Sequence, residues 1–159
     1  MIMTKKLFFL IATVTLLTSC GNSQKTSKAI LPEVVDSEIE LGMTLSEFNK
    51  VKSENVEEAQ RESFRIVFLE KMNDTKVSDI VYYFDSDDEQ VLYEIIIVYK
   101  EEAGRDAAAK ELFGEPNHDE KEWRLTRPES FNVWAWPHKT KLVVVGMFPG
   151  TEWFPDNWN

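Results

Sequence analysis

Only one cysteine and two histidines occur in 159 residues, with six glycines and six prolines, and each scarcity removes a class of function. A single thiol forbids any intramolecular disulfide, so an exported domain of this sequence must be held together by its core. No Gly-x-Ser-x-Gly spacing is present to expose a strained serine, and no glycine-rich loop is present to cradle phosphate. Positive charge is also short: 18 basic residues face 28 acidic ones, a net charge of −10. That balance opposes long-range attraction to nucleic acid or to anionic lipid headgroups. Nothing in the spacing of the acids singles out a pair for glycoside hydrolysis.

What is present begins at the N-terminus. Lys5 and Lys6 precede an apolar run from Leu7 to Leu17, then the small polar residues Thr18 and Ser19. This order predicts a signal peptide over residues 1–19. The run is too short for a comfortable membrane span. Leu17-Thr18-Ser19-Cys20 resembles the lipobox of bacterial lipoproteins. The resemblance implies that the Cys20 thiol is diacylated and that cleavage makes Cys20 the first mature residue. Acylation would also remove Cys20 as a nucleophile. Losing Lys5 and Lys6 leaves 16 basic residues against 28 acidic, a net charge near −12. Membrane contact is therefore expected through acyl chains, each buried methylene contributing about 0.8 kcal/mol. Gly21 after the cysteine, in place of Asp, resembles the pattern sent to the outer membrane in many diderm bacteria, which implies a domain facing the periplasm; in a host with a single membrane the same motif implies its outer surface. Residues 20–33 are expected to form a tether reaching roughly 40 Å at about 3.5 Å per residue. Residues 34–159 are expected to form a single domain.

Within that span, Thr44 and Glu47 have the spacing of a capping box, and Met43 and Phe48 stand at the positions of a hydrophobic staple. A helix is predicted from there to about Ser53, with Leu45 and Phe48 facing the core. Strand-like runs follow at Ser63–Lys71, Val77–Phe84 and Val91–Lys100, joined by short polar connections that predict an antiparallel meander. In the third run Val91, Tyr93, Ile95, Ile97 and Tyr99 share one face, and Leu92, Glu94, Ile96, Val98 and Lys100 the other. A second helix is predicted over Glu101–Phe113, with an Asp106–Lys110 pair on its surface and Gly114 and Pro116 ending it. Lys121–Thr126, Phe131–Trp136 and Lys141–Phe148 read as further strands. The predicted fold is α+β: a mostly antiparallel sheet of about six strands with two helices on one face, the order helix then three strands occurring twice.

Leu41-Gly42-Met43-Thr44 leading into a helix resembles the start of the small SmpA/OmlA (BamE-like) lipoprotein domains. Leu112-Phe113-Gly114-Glu115-Pro116 resembles their helix-ending Gly-x-Pro. In that family the two motifs close one helical hairpin, whereas here about 70 residues and three predicted strands separate them. The duplicated order also resembles β-lactamase-inhibitor-like proteins. The resemblance implies a non-enzymatic lipoprotein that binds another envelope protein. Only the acylated Cys20 carries over as a functional residue; Gly42 and Gly114 would be structural.

Aromatic residues supply the candidate surface. Trp134 and Trp136 alternate onto one strand face, opposite Phe131, Val133 and Ala135, so this strand is apolar on both sides. Trp153, Phe154 and Trp158 lie among turn formers at the C-terminus. This tail either folds back to cap the core or joins Trp134 and Trp136 in a partner-binding surface, which Tyr82, Tyr83, Tyr93 and Tyr99 would extend if one sheet face is open. A small-ligand pocket lined by the same rings is the alternative, and a hydrolase a more distant one. The two imidazoles, His118 and His138, stand 20 residues apart and match no local metal-ligand pattern. They are expected as exposed turn residues, with Asp119 or Glu120 the nearest carboxylates. The acidic loop Asp85–Glu89 offers oxygens at alternate positions, but it lacks the turn glycine and distal glutamate of a calcium loop. No cofactor, no metal and no nucleic acid are expected.

Overall fold

The computed structural model describes residues 30–87, 89–127 and 130–154. The expected leader, Cys20, most of the expected tether and Trp158 lie outside these residues. In chain order the elements are α1 (Leu45–Val51), β1 (Val56–Arg61), β2 (Arg65–Lys71), β3 (Val77–Asp85), β4 (Leu92–Tyr99), α2 (Glu102–Phe113), β5 (Trp123–Leu125), β6 (Val133–His138) and β7 (Lys141–Gly146). All seven strands form one sheet in the order β1-β2-β3-β4-β7-β6-β5, and every neighbouring pair is antiparallel. The α+β class is as expected.

The strand count and the repeated order are corrected. Among the described residues seven strands are present, and α1 is followed by four strands rather than three. The additional strand, β1, reads Val-Glu-Glu-Ala-Gln-Arg and is exposed at five of six positions. An edge strand that buries almost nothing carries no alternating apolar signal, and its charges blunt the free edge. A register shift between Glu58 and Gln60 disrupts that edge further.

Local sequence explains α1. Glu47 N–H donates to Thr44 Oγ1 at 3.3 Å and Thr44 N–H donates to Glu47 Oε2 at 2.8 Å, so the capping box is formed. These bonds from Thr44 hold the Glu47 carboxyl below the usual carboxylate range. Thr44→Ala should therefore lower stability by about 1 kcal/mol, read as a shift in the urea midpoint with an unchanged slope. In α2, Ala109 and Phe113 are buried, and the chain leaves at Gly114 with φ +79. The expected Asp106–Lys110 pair is not formed. Arg105 engages Asp106 through both Nε and Nη2, and Lys110 turns to Glu115 at 2.6 Å. A forked guanidinium holds a carboxylate in a geometry that an ammonium cannot match.

Both helices pack on the same sheet face. Phe48, Ala109 and Phe113 share one core cluster with Phe68, Ile80, Tyr82, Phe84, Ile95, Ile97 and Val144. The N-terminal segment joins this face through Val35, Ile39 and Leu41, each 4% exposed. It is bound to the start of β4 by reciprocal bonds, Gly42 N–H to Leu92 O at 2.8 Å and Leu92 N–H to Met43 O at 2.9 Å. Gly42 is required there because φ is +93 and a Cβ would stand 3.0 Å from Phe148 Cζ.

A bulge corrects the face assignment in β4. Tyr83 pairs with Glu94 and Phe84 with Leu92, so Tyr93 is an extra residue in the ladder. The bulge turns Leu92 into the helix-side core with Ile95 and Ile97, and it leaves Tyr93 with Glu94 on the opposite side. That opposite face, which neither helix covers, holds Ile96, Val143, Val145 and Met147 in a second, smaller cluster.

Candidate functional site

The helix-free face gathers three of the five aromatic residues expected to form a binding surface. Strand alternation in β6 sends Val133 and Ala135 into the main core and Trp134 and Trp136 to the other side. There they stand over β7, with Trp134 opposite Val145 and Trp136 opposite Val143. Trp153 arrives from the turn after β7. The ring centroids lie 4.8 Å apart for Trp134–Trp136, 5.3 Å for Trp136–Trp153 and 6.2 Å for Trp134–Trp153, the last two edge to face. Such tilted contacts contribute about 0.5–1.5 kcal/mol each beyond area burial. All three indoles remain partly exposed. Phe154, the fourth candidate, is 46% exposed. The C-terminal stretch thus covers part of this face with Trp153 and leaves Phe154 in solvent.

Polar groups fix the indole edges. Trp153 Nε1 donates to Glu94 Oε2 at 2.8 Å, and Trp134 Nε1 donates to Glu122 Oε2 at 3.0 Å. Trp136 Nε1 has no hydrogen-bond partner among the described residues. Glu94 is only 5% exposed. Burial pushes its carboxyl up to about 7; Glu152 adds to the rise, while the Trp153 bond, Arg65 and Lys141 oppose it. Beside it, Tyr93 Oη donates to Glu152 Oε2 at 3.0 Å, and burial drives the Tyr93 hydroxyl far above its ordinary value. Arg65 lies over the rings of Phe64 and Tyr83 at 5.0 and 5.6 Å, with Nη1 3.9 Å from Glu152 Oε2. Arg124 lies over Trp134 at 5.3 Å. The result is an apolar patch with guanidinium groups near its rim.

The tyrosines divide between the faces. Tyr83 extends the indole side and Tyr93 is buried at its edge, whereas Tyr82 and Tyr99 belong to the helix-side core. Tyr82 packs 5.0 Å from Phe48 and donates to Glu70 Oε2 at 2.6 Å. In the acidic loop, Asp85 turns inward and accepts from Val91 N–H at 2.9 Å, Asp87 and Glu89 are exposed, and Asp88 lies outside the described residues. His138 ends β6, exposed, while His118 stands in the turn before β5. One donor atom each from His118, Asp119 and Glu122 fall within 4.8 Å of one another. A cavity of about 520 Å³ lies elsewhere, between the N-terminal segment at Ile30, Leu31 and Ile39 and the residues Arg127 and Phe131. None of the described tryptophans lines it.

Sequence reasoning missed Glu94, Glu152, Arg65 and Glu122. A lone acid within Leu92-Tyr93-Glu94-Ile95-Ile96-Ile97 was a usable signal, because a buried carboxylate requires a donor. Its donor, Trp153, is 59 residues away, and no local pattern connects them. Among the described residues, no helix is long and apolar enough to cross a membrane. No protein-family model, curated protein or solved structure matches this chain.

Proposed function

We propose that this chain is a lipid-anchored envelope protein that docks another envelope protein on its helix-free sheet face. In this reading the signal peptide is removed, acyl chains on Cys20 hold the protein at the outer membrane, and the domain faces the periplasm. Its role is binding rather than catalysis. The observation that carries the proposal is the partly exposed cluster of Trp134, Trp136 and Trp153 on a sheet face that neither helix covers. Indole rings give large, rigid apolar contact at small entropic cost, which is what interface anchors require. Trp136 Nε1, with no hydrogen-bond partner among the described residues, adds a donor from which a partner's carbonyl can accept.

The test is a crosslinking capture from envelope membranes, with a photoreactive group at position 136 and, as a control, at Glu111 on α2. One partner should be captured from 136 and not from 111. Purified, it should bind Trp134→Ala/Trp136→Ala at least about 30-fold more weakly, as expected for loss of an anchor worth 2 kcal/mol or more. Thermal melting of the variant separates this loss from unfolding. Equal capture from both positions, or equal affinity of the folded variant, would refute the assignment.

A further inference from the structure

The turn before β5 gathers three side chains of metal-ligating type, one of which, Glu122, also holds the Trp134 indole. His118 and Glu122 are bridged by reciprocal backbone bonds, His118 N–H to Glu122 O and Glu122 N–H to His118 O, both 3.0 Å. A directly bridged pair projects its side chains to the same side. Asp119 sits between them at φ +46. His118 Nε2 and Asp119 Oδ2 are 3.5 Å apart, and a donor atom from each of His118, Asp119 and Glu122 lies within 4.8 Å of the others. Donors about 2.0–2.2 Å from one ion stand roughly 3–4.4 Å apart, so a side-chain shift of under about 1 Å brings all three onto it.

One further observation bears on this cluster: the Trp134 indole N–H holds Glu122 through Oε2. Such an outer partner fixes the orientation of a metal-binding carboxylate. Imidazole with carboxylates suits first-row transition cations, whereas calcium is held by oxygen alone.

We propose that His118, Asp119 and Glu122 bind one divalent first-row transition cation of the zinc type, with water completing the coordination. The site takes one ion per chain, and its binding is felt at Trp134 through Glu122. The test is calorimetric titration of the full chain in detergent with Zn²⁺ alone, and with Ca²⁺ alone, in a non-chelating buffer, alongside tryptophan fluorescence. One Zn²⁺ should bind with a change in fluorescence, and Ca²⁺ at least tenfold more weakly. His118→Ala and Glu122→Gln should each weaken Zn²⁺ at least tenfold, His138→Ala less than twofold. Trp134→Phe should lose the fluorescence response while still binding one ion. Absence of one-to-one binding, unchanged affinity in His118→Ala, or equal affinity for Ca²⁺ would overturn the proposal. Glu122→Gln keeps an acceptor for the Trp134 indole, so it tests ligation in a folded chain.

Discussion

Phe48→Ala should cost about 3–5 kcal/mol of folding free energy, the range for deleting a fully buried aromatic ring. Phe48 is 0% exposed, and its ring lies 5.0 Å from both Tyr82 and Phe84 and 5.3 Å from Phe68. It is also the main anchor of a helix seven residues long, too short to persist without tertiary contact. Loss of the ring therefore removes both packing and the reason for α1 to dock. Set against a typical total of about 5–15 kcal/mol, that is a large fraction. Urea unfolding followed by tryptophan fluorescence measures it. A cost below about 1.5 kcal/mol would show that Tyr82, Phe68 and Phe84 close over the gap, and that α1 is held mainly by its cap and by Leu45.

The consequence reaches the indole face only indirectly. Phe48 lies on the opposite side of the sheet from Trp134, Trp136 and Trp153. A folded variant with a weakened helix-side core should keep the Trp134–Trp136–Trp153 packing until the sheet itself melts. The separation makes α1 variants a control for binding experiments, since they alter stability without touching the proposed docking surface.

Several features of this arrangement were legible in the sequence because they are local. Thr44 and Glu47 satisfy each other within one turn, and Val133, Trp134, Ala135 and Trp136 alternate within one strand. Both patterns need only neighbouring residues to be read. The edge strand Val56–Arg61 was invisible because it buries almost nothing. The bulge at Tyr93 was invisible for another reason: an extra residue in the ladder reverses the facing of Leu92, and alternation counted along one strand cannot detect what its partner does. The candidate site lay between these cases. Its two β6 indoles were readable as a pair, but Trp153 joins them through Glu94, and that contact depends on how the C-terminal turn crosses the finished sheet. The turn cluster was similarly half visible, with His118 and Asp119 adjacent and Glu122 brought in by a backbone bridge.

Glu94→Gln should make the protein more stable than the parent at pH 8 and remove most of that advantage at pH 5. The carboxyl of Glu94 is held near 7 in the folded chain, chiefly by burial, against an ordinary value of 4.5. A folded-state value above the unfolded one means that the native state binds the extra proton. The associated stability is complete below pH 4.5 and is lost as pH rises through about 7. For one group the loss is about 3 kcal/mol. Carboxyls held below their usual range, including Glu47, Glu58, Asp74 and Asp79, act in the opposite sense and at lower pH. Asp85 is raised by burial and falls in the same direction as Glu94, so the comparison of Glu94→Gln with the parent, rather than the parent curve alone, isolates Glu94. Urea unfolding free energies at pH 5, 6, 7 and 8 should converge toward the acid end and separate by about 3 kcal/mol toward the alkaline end. Parallel curves would show that Glu94 titrates as a solvated carboxyl. Trp153→Phe sharpens the test, because the indole N–H is the strongest influence lowering the Glu94 value; without it the inflection should move to higher pH. The same carboxylate therefore fastens the C-terminal turn and weakens the fold above neutrality, a compromise understandable if Trp153 must be held against Trp134 and Trp136 for the docking face to exist.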